Sequence, residues 1–212
     1  YNWDFVQIQL NYMDTEHQQG ITGYNYLTEK GIPVIVMEPV KGGSLANFNP
    51  EVEKLLLDTD KNVSIASWAF KWVGTLPNVK TILSGMTTME QVEDNIKTFT
   101  NFSPLNNDEL KLMDEVRKRL LDLTQVECTS CNYCMPCPHG VDIPGNFRIF
   151  NNSSMYKNNK RTKWLYSNLE EKDASGNFCI NCGECWPKCP QQIEIPTDLD
   201  KMQTYLKDNG II

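Results

Sequence analysis

The sequence predicts an α/β domain followed by a mostly helical, cysteine-bearing module. Three observations carry that prediction. Residues 1–124 alternate short strand-like runs with helical runs, the pattern of βαβ units on a parallel sheet. All eight cysteines fall after residue 127, in two tight runs. The stretch between those runs, residues 138–178, has few strand signals.

The elements follow in order. Phe5-Val6-Gln7-Ile8-Gln9-Leu10 alternates apolar and polar residues, as a strand with two unlike faces does. A helix is expected from about Gln18 to Lys30, stopped by Gly31 and Pro33. Pro33-Val34-Ile35-Val36-Met37 is a β-branched run suited to a buried parallel strand. Gly42-Gly43 marks a loop. Ser64 to Val73 has helical apolar spacing, with Asn62 or Ser64 as N-cap. Val79 to Leu83 reads as a third strand, closed by Ser84-Gly85. A helix starts at Thr87 or Thr88, with Glu90 in its dipole-favourable first turn, and runs to about Thr98. Another helix, about Asn107 to Leu123, gathers Leu110, Met113, Val116 and Leu120 on one face. Beyond Gln125, short helices are expected at Asn146–Phe150 and Arg161–Leu169. The polar segments Asn151–Ser154 and Lys157–Lys160 separate them, and a last helix spans Thr197–Lys207.

The cysteine spacing points to chemistry. Cys179, Cys182, Cys185 and Cys189, followed by Pro190, read C-x2-C-x2-C-x3-C-P, the run with which bacterial-type ferredoxins hold a cubic iron–sulfur cluster. Cys128, Cys131, Cys134 and Cys137, followed by Pro138, are one residue short of it. Two such runs predict two [4Fe–4S] clusters and single-electron chemistry. Three closely spaced thiolates wrap one face of a cubane, and the fourth must come from further away. In two-cluster ferredoxins it comes from the other run. That rule groups Cys128, Cys131 and Cys134 with Cys189, and Cys179, Cys182 and Cys185 with Cys137. Disulfides, structural zinc, and one cluster with spare thiols are the competing readings. Close x2 spacing suits metal better than disulfides. Four cysteines with a trailing proline suit zinc poorly. The long gap between runs favours a helical over a small β-type ferredoxin module.

Composition bounds the rest. With 40% hydrophobic residues, a chain of 212 has material for a packed core. No apolar run reaches the roughly 20 residues of a membrane helix, and no signal peptide is visible. A net charge of −7 argues against nucleic acid and suits a basic redox partner protein. Unpaired cysteines at this density fit a reducing cytoplasm. The chain starts at Tyr1 directly in strand-like sequence, as a C-terminal piece of a longer protein does.

Several segments together resemble one family. These are Gln9-Leu10-Asn11-Tyr12 at a strand end, Gly31-Ile32-Pro33-Val34 leading to Met37-Glu38-Pro39-Val40-Lys41-Gly42-Gly43, and Ile82 to Asn95 with its G-x-T-x3-Q-x2-D-N pattern. Cys134-Met135-Pro136-Cys137-Pro138-His139-Gly140-Val141 and Cys189-Pro190-Gln191 complete the set. The chain resembles the aldo/keto reductases that carry a C-terminal ferredoxin module. The resemblance implies that residues 1–124 are the C-terminal part of a (β/α)8 TIM-type barrel, with strands six to eight, and that residues 125–212 are the 4Fe–4S domain. It also implies an NADP(H) site. Gln9 would meet the nicotinamide amide, the loop with Glu38, Pro39, Gly42 and Gly43 the pyrophosphate, and Gly85, Thr87, Gln91, Asp94 and Asn95 the adenosine and its phosphate. Gln91 and Asn95, at i and i+4, would otherwise form an ordinary solvated helix face. The family's catalytic Asp, Tyr, Lys and His lie on earlier strands, so no catalytic residue is expected here. A small carbonyl substrate is expected for the longer protein. Three βα units cannot close a barrel.

The leading expectation is thus an NADP-linked oxidoreductase with two clusters. An iron–sulfur electron carrier or subunit without carbonyl reductase activity is the alternative, and a purely structural role for the clusters a third reading. Tyr133 and Trp186, inside the cysteine loops, are expected to shield the clusters or line an apolar pocket. His139 is expected at the surface or behind a ligand rather than as one, and His17 carries no catalytic neighbour.

Overall fold

The computed structural model describes residues 1–100 and 102–212, which divide into two compact units, Tyr1–Leu120 and Leu121–Ile212. In the first unit, β1 (Val6–Gln9), β2 (Val34–Met37) and β3 (Val79–Ile82) form a parallel sheet in the order β1-β2-β3. Val6 pairs with Val34 and Ile8 with Val36, and a register irregularity between Val34 and Ile35 precedes the pairing of Val36 with Ile82. The period of two sorts the strands. Ile8, Val34 and Val36 turn to one face and are buried with Leu10, Tyr24, Leu27 and Val73. Gln7, Gln9, Ile35, Met37 and Thr81 lie on the other face and are half-buried or exposed.

Helices cover the buried face. Helix α1 (Gly20–Glu29) starts after the expected Gln18. Helix α2 (Pro50–Thr59) was not expected. Its signals are an Asn49 side chain accepting from the Glu51 N–H, Pro50 in the first turn, and Glu51 and Glu53 beside the positive helix end. Helix α3 (Ile65–Gly74) is capped by Ser64, which accepts from the Ser67 N–H at 3.0 Å, and Trp68, Ala69 and Val73 are buried on it. Helices α4 (Met89–Thr100) and α5 (Asn107–Leu121) complete the unit. Every apolar side chain of α4 retains some exposure, whereas α5 buries Met113, Val116 and Leu120.

The second unit holds α6 (Ile143–Met155), α7 (Asn159–Glu170) and α8 (Ile195–Asp208) around one apolar core. Phe147, Ile143, Tyr166, Ile195, Leu199 and Met202 are its centre, each no more than 2% exposed. Helix α6 corrects the reading of Asn151–Ser154 as a separator. That segment is the last helical turn and a half, and its polar side chains bond to backbone: Ser153 to Phe150, Ser154 to Leu123 and Asn151 to residues 125–126. Tertiary partners outweigh the weak helix propensity of Asn and Ser. Helix α8 begins two residues before the expected Thr197, with Pro196 in its first turn.

Candidate functional site

The two cysteine runs occupy loops in front of α6 and α8. Left-handed backbone recurs at matching places in both. It falls two residues after the first cysteine (Ser130, Asn181) and four residues after it (Asn132, Gly183). It falls again three residues after the fourth (Gly140, Gln192). Each loop then continues into a like sequence, Val141-Asp142-Ile143-Pro144 and Ile193-Glu194-Ile195-Pro196, and into a helix with proline in its first turn. The sequence reading missed this repeat. Laying Cys137-Pro138 over Cys189-Pro190 would have shown it.

The repeat builds two cavities. One is lined by Cys128, Cys131, Cys134 and Cys189, with Ile143, Pro144 and Phe147 of α6 behind them. The other is lined by Cys179, Cys182, Cys185 and Cys137, with Ile195, Pro196 and Leu199 of α8 behind them. Cys134 also reaches the second cavity's wall. These are the two sets that the crossed rule gives. Ile143 and Ile195 line both cavities. All eight cysteines are free thiols, so none is spent in a disulfide.

Two of the thiols, Cys134 and Cys185, are costly to ionise. Burial pushes Cys134 up to about 11, and the charges of Cys128, Cys185 and Cys131 add to it. Burial likewise raises Cys185, with charges from Cys179, Cys182 and Cys137 adding. Each of these thiols therefore senses three others, and Cys185 senses its own crossed set. Among the described residues no three His, Cys, Asp or Glu side chains converge as they do on a single metal ion. Donor chemistry, number and apolar walls all suit an iron–sulfur cluster.

Tyr133 and Trp186 are 67% and 50% exposed and line neither of these two cavities, which corrects the reading of them as apolar-pocket residues. With the cysteines turned inward, these intervening side chains point outward, and the apolar shielding comes from α6 and α8. His139 is exposed at the rim of the second cavity.

In the first unit, a cavity of about 390 Å³ opens between the loop after β2 and the start of α4. That volume lies within the range of small-molecule sites. Glu38, Pro39, Gly42, Gly43, Gly85, Thr87, Gln91, Asp94 and Asn95 line it, so nine of the ten residues expected at a cofactor come together. Gly42 and Gly43 have φ of 60° and 87°, the left-handed region that glycine adopts at least cost, and this lets the loop turn tightly beside the opening.

Gln9 is outside that cavity. Its side-chain N–H donates to Asp14 Oδ2 at 3.2 Å. Asn11 donates to the same oxygen at 3.0 Å, and Lys41 pairs with Asp14 Oδ1 at 2.5 Å. Burial would raise the Asp14 carboxyl, but the Lys41 ammonium with Asn11 and Gln9 overrides it and holds the carboxyl below its ordinary value. Gln7, on the same strand face as Gln9, donates to Met37 Sδ at 3.0 Å and was not singled out by sequence.

Polar groups in the cavity are partly committed. Gln91 Oε1 accepts from the backbone N–H of Thr87 at 2.7 Å and of Thr88 at 3.3 Å, capping α4 with groups that would otherwise face an anion. Asn95 donates to Ser84 Oγ at 2.9 Å. Asp94 Oδ2 accepts from Ser64 Oγ at 2.5 Å and Ser67 Oγ at 3.3 Å. The lining carries two carboxylates, Glu38 and Asp94, and no lysine or arginine among the described residues. The lining therefore offers an anionic group no cationic side chain among the described residues.

Residues 1–118, more than half of the chain, match the aldo/keto reductase family, and the protein belongs to that family. Residues 127–194 match a 4Fe-4S dicluster domain. The chain is thus an oxidoreductase-family domain joined to an iron–sulfur module. Searches of curated proteins and of solved structures gave no match.

Proposed function

We propose that the chain carries two [4Fe–4S] clusters, ligated crosswise, and passes single electrons between an aldo/keto reductase-type domain and a redox partner protein. The observation that carries this reading is that each of two cavities gathers three cysteines of one run with the fourth cysteine of the other, Cys134 bordering both. When bound, such clusters accept and release one electron at a time. The chain's own contribution is to hold four thiolates around each, to exclude water with Ile143, Phe147, Ile195 and Leu199, and to set the two sites side by side, with Cys134, Ile143 and Ile195 on both walls.

On the same proposal, residues 1–124 are the C-terminal part of a (β/α)8 barrel and residues 125–212 the cluster domain. Support comes from the parallel order β1-β2-β3 and from the half-open face bearing Gln7, Gln9 and Met37, the side that a closed barrel turns inward. The cavity at the strand ends takes a nicotinamide dinucleotide, with a small carbonyl as the substrate class. The 2′-phosphate of NADP(H) is the part least provided for, because no cation lines the cavity. NADH is therefore expected to bind at least as tightly as NADPH.

Anaerobically purified protein tests the first reading. Iron and acid-labile sulfide near eight per chain, with two one-electron reductions in a spectroscopic titration, are expected. A colourless protein without sulfide rejects it. Clusters that form but never change oxidation state would leave them a structural role. Fluorescence titration with NADH and NADPH tests the second, and enhancement by neither rejects it.

A further inference from the structure

Both cysteine loops are tied, just before their first cysteine, to an asparagine on the same helix. Gly176, three residues before Cys179, donates its N–H to Asn146 Oδ1 at 2.8 Å. Gln125, three residues before Cys128, donates its N–H to Asn151 Oδ1 at 3.0 Å. The bond falls at the same place in each run. Each amide also donates back to backbone. Asn146 Nδ2 donates to the carbonyls of Ala174 at 2.9 Å and Asp142 at 2.7 Å. Asn151 Nδ2 donates to the Val126 carbonyl at 2.8 Å, and the Val126 N–H joins Gln125 on Oδ1 at 3.0 Å.

A carboxamide is suited to this task. It accepts from an N–H and donates to a C=O at once, so it grips a passing chain as a neighbouring strand would. Asparagine is a weak helix former, and α6 gains nothing from two of them in its own middle. Five residues apart, they point about 140° from each other around the axis and sit about 7.5 Å apart along it. One helix can therefore hold two different loops. Asn146 is fully buried, and through Asp142 and Ala174 it joins the segment after Cys137 to the segment before Cys179, two ligands of one crossed set. Gly176 completes the fit. A Cβ there would stand 2.7 Å from Gln203 Nε2.

We infer that Asn146 and Asn151 are positioning residues that index the two cysteine runs separately. Asn146 sets the entry of Cys179, Cys182 and Cys185, and Asn151 that of Cys128, Cys131 and Cys134. Each thereby tunes the cluster of its own run. The inference rests on the two-cluster reading proposed above.

The test uses the full chain and two reference variants. Cys131→Ala and Cys182→Ala each remove one run's cluster, so the remaining electron paramagnetic resonance signal identifies each cluster. Asn151→Ala and Asn151→Asp should then shift the midpoint potential, or lower the occupancy, of the cluster missing in Cys131→Ala. The other cluster should move several-fold less. Asn146→Asp, which keeps the acceptor and size but removes the donor, should do the reverse. If Asn146→Asp does not fold, the half-buried Asn151 pair decides alone. Equal shifts at both clusters, or none at either with iron content intact, overturn the inference. Wild-type protein with a single signal, or Cys131→Ala and Cys182→Ala losing the same signal, overturns the two-cluster reading instead.

Discussion

Asp94 separates a cofactor contact from a structural strut. Its carboxylate joins the start of α3 to α4, accepting from Ser64 Oγ and Ser67 Oγ. A hydrogen bond to a charged group contributes about 1.5–3 kcal/mol. Replacement by alanine does not strand both donors, since Ser64 and Ser67 hydroxyls lie 2.8 Å apart and Ser67 also meets Thr98 Oγ1 at 2.6 Å. The hydroxyls re-aim within this triad and recover part of the loss. Asp94→Ala is therefore expected to cost about 1.5 kcal/mol, or about 6 °C in melting temperature for a unit of this size. Asn95→Ala, which loses one half-buried contact to Ser84, should cost about 1 kcal/mol. Thermal and urea unfolding measure both, and dinucleotide titration runs beside them. A melting shift near zero for Asp94→Ala, together with a tenfold weaker NADH affinity, would show that the carboxylate serves ligand rather than helix packing.

Three further outcomes are expected. Cys182→Ala should lose about half the bound iron and destabilise the second unit, because cluster binding and folding are coupled, and unchanged iron by chemical assay contradicts the assignment. Phe147→Ala empties a side chain that is 1% exposed beside the Cys128 cavity. It should cost about 3–5 kcal/mol in denaturant unfolding and bleach that cluster first. Lys41→Met removes the cation that depresses the Asp14 carboxyl. The pair's stabilisation is complete above the ordinary carboxylate value of 3.8 and is lost as pH falls through the lower folded value. The stability gap between wild type and Lys41→Met should thus be present at neutral pH and close well below pH 4, and a gap independent of pH excludes the pair as its source.

Much of this was legible in one dimension. Period-two alternation in Phe5–Leu10 and the β-branched run Val34–Met37 specify strands, because neighbouring side chains on a strand must face opposite ways. Cysteine spacing points to an iron–sulfur module, because three thiolates in a short loop fit a cube face, and residues 127–194 match a 4Fe-4S dicluster domain. Helix α2 went unread although Asn49-Pro50-Glu51 signals a helix start, and Asn151–Ser154 misled because Asn151 and Ser154 have partners 25 residues or more away in sequence.

Local chemistry written along the chain determined the cysteine runs, the strands of the sheet and most helix starts, since each depends on residues a few positions apart. Tertiary structure alone decided that Cys134 borders both cavities, that Gln9 is drawn to Asp14 rather than into the cavity beside Gly85, and that two asparagines of one helix grip both loops. The cysteine cavities and the asparagine grips depend on segments 25 residues or more apart in sequence, and the choice of Asp14 by Gln9 depends on Lys41, 27 residues further on, holding that carboxylate in place.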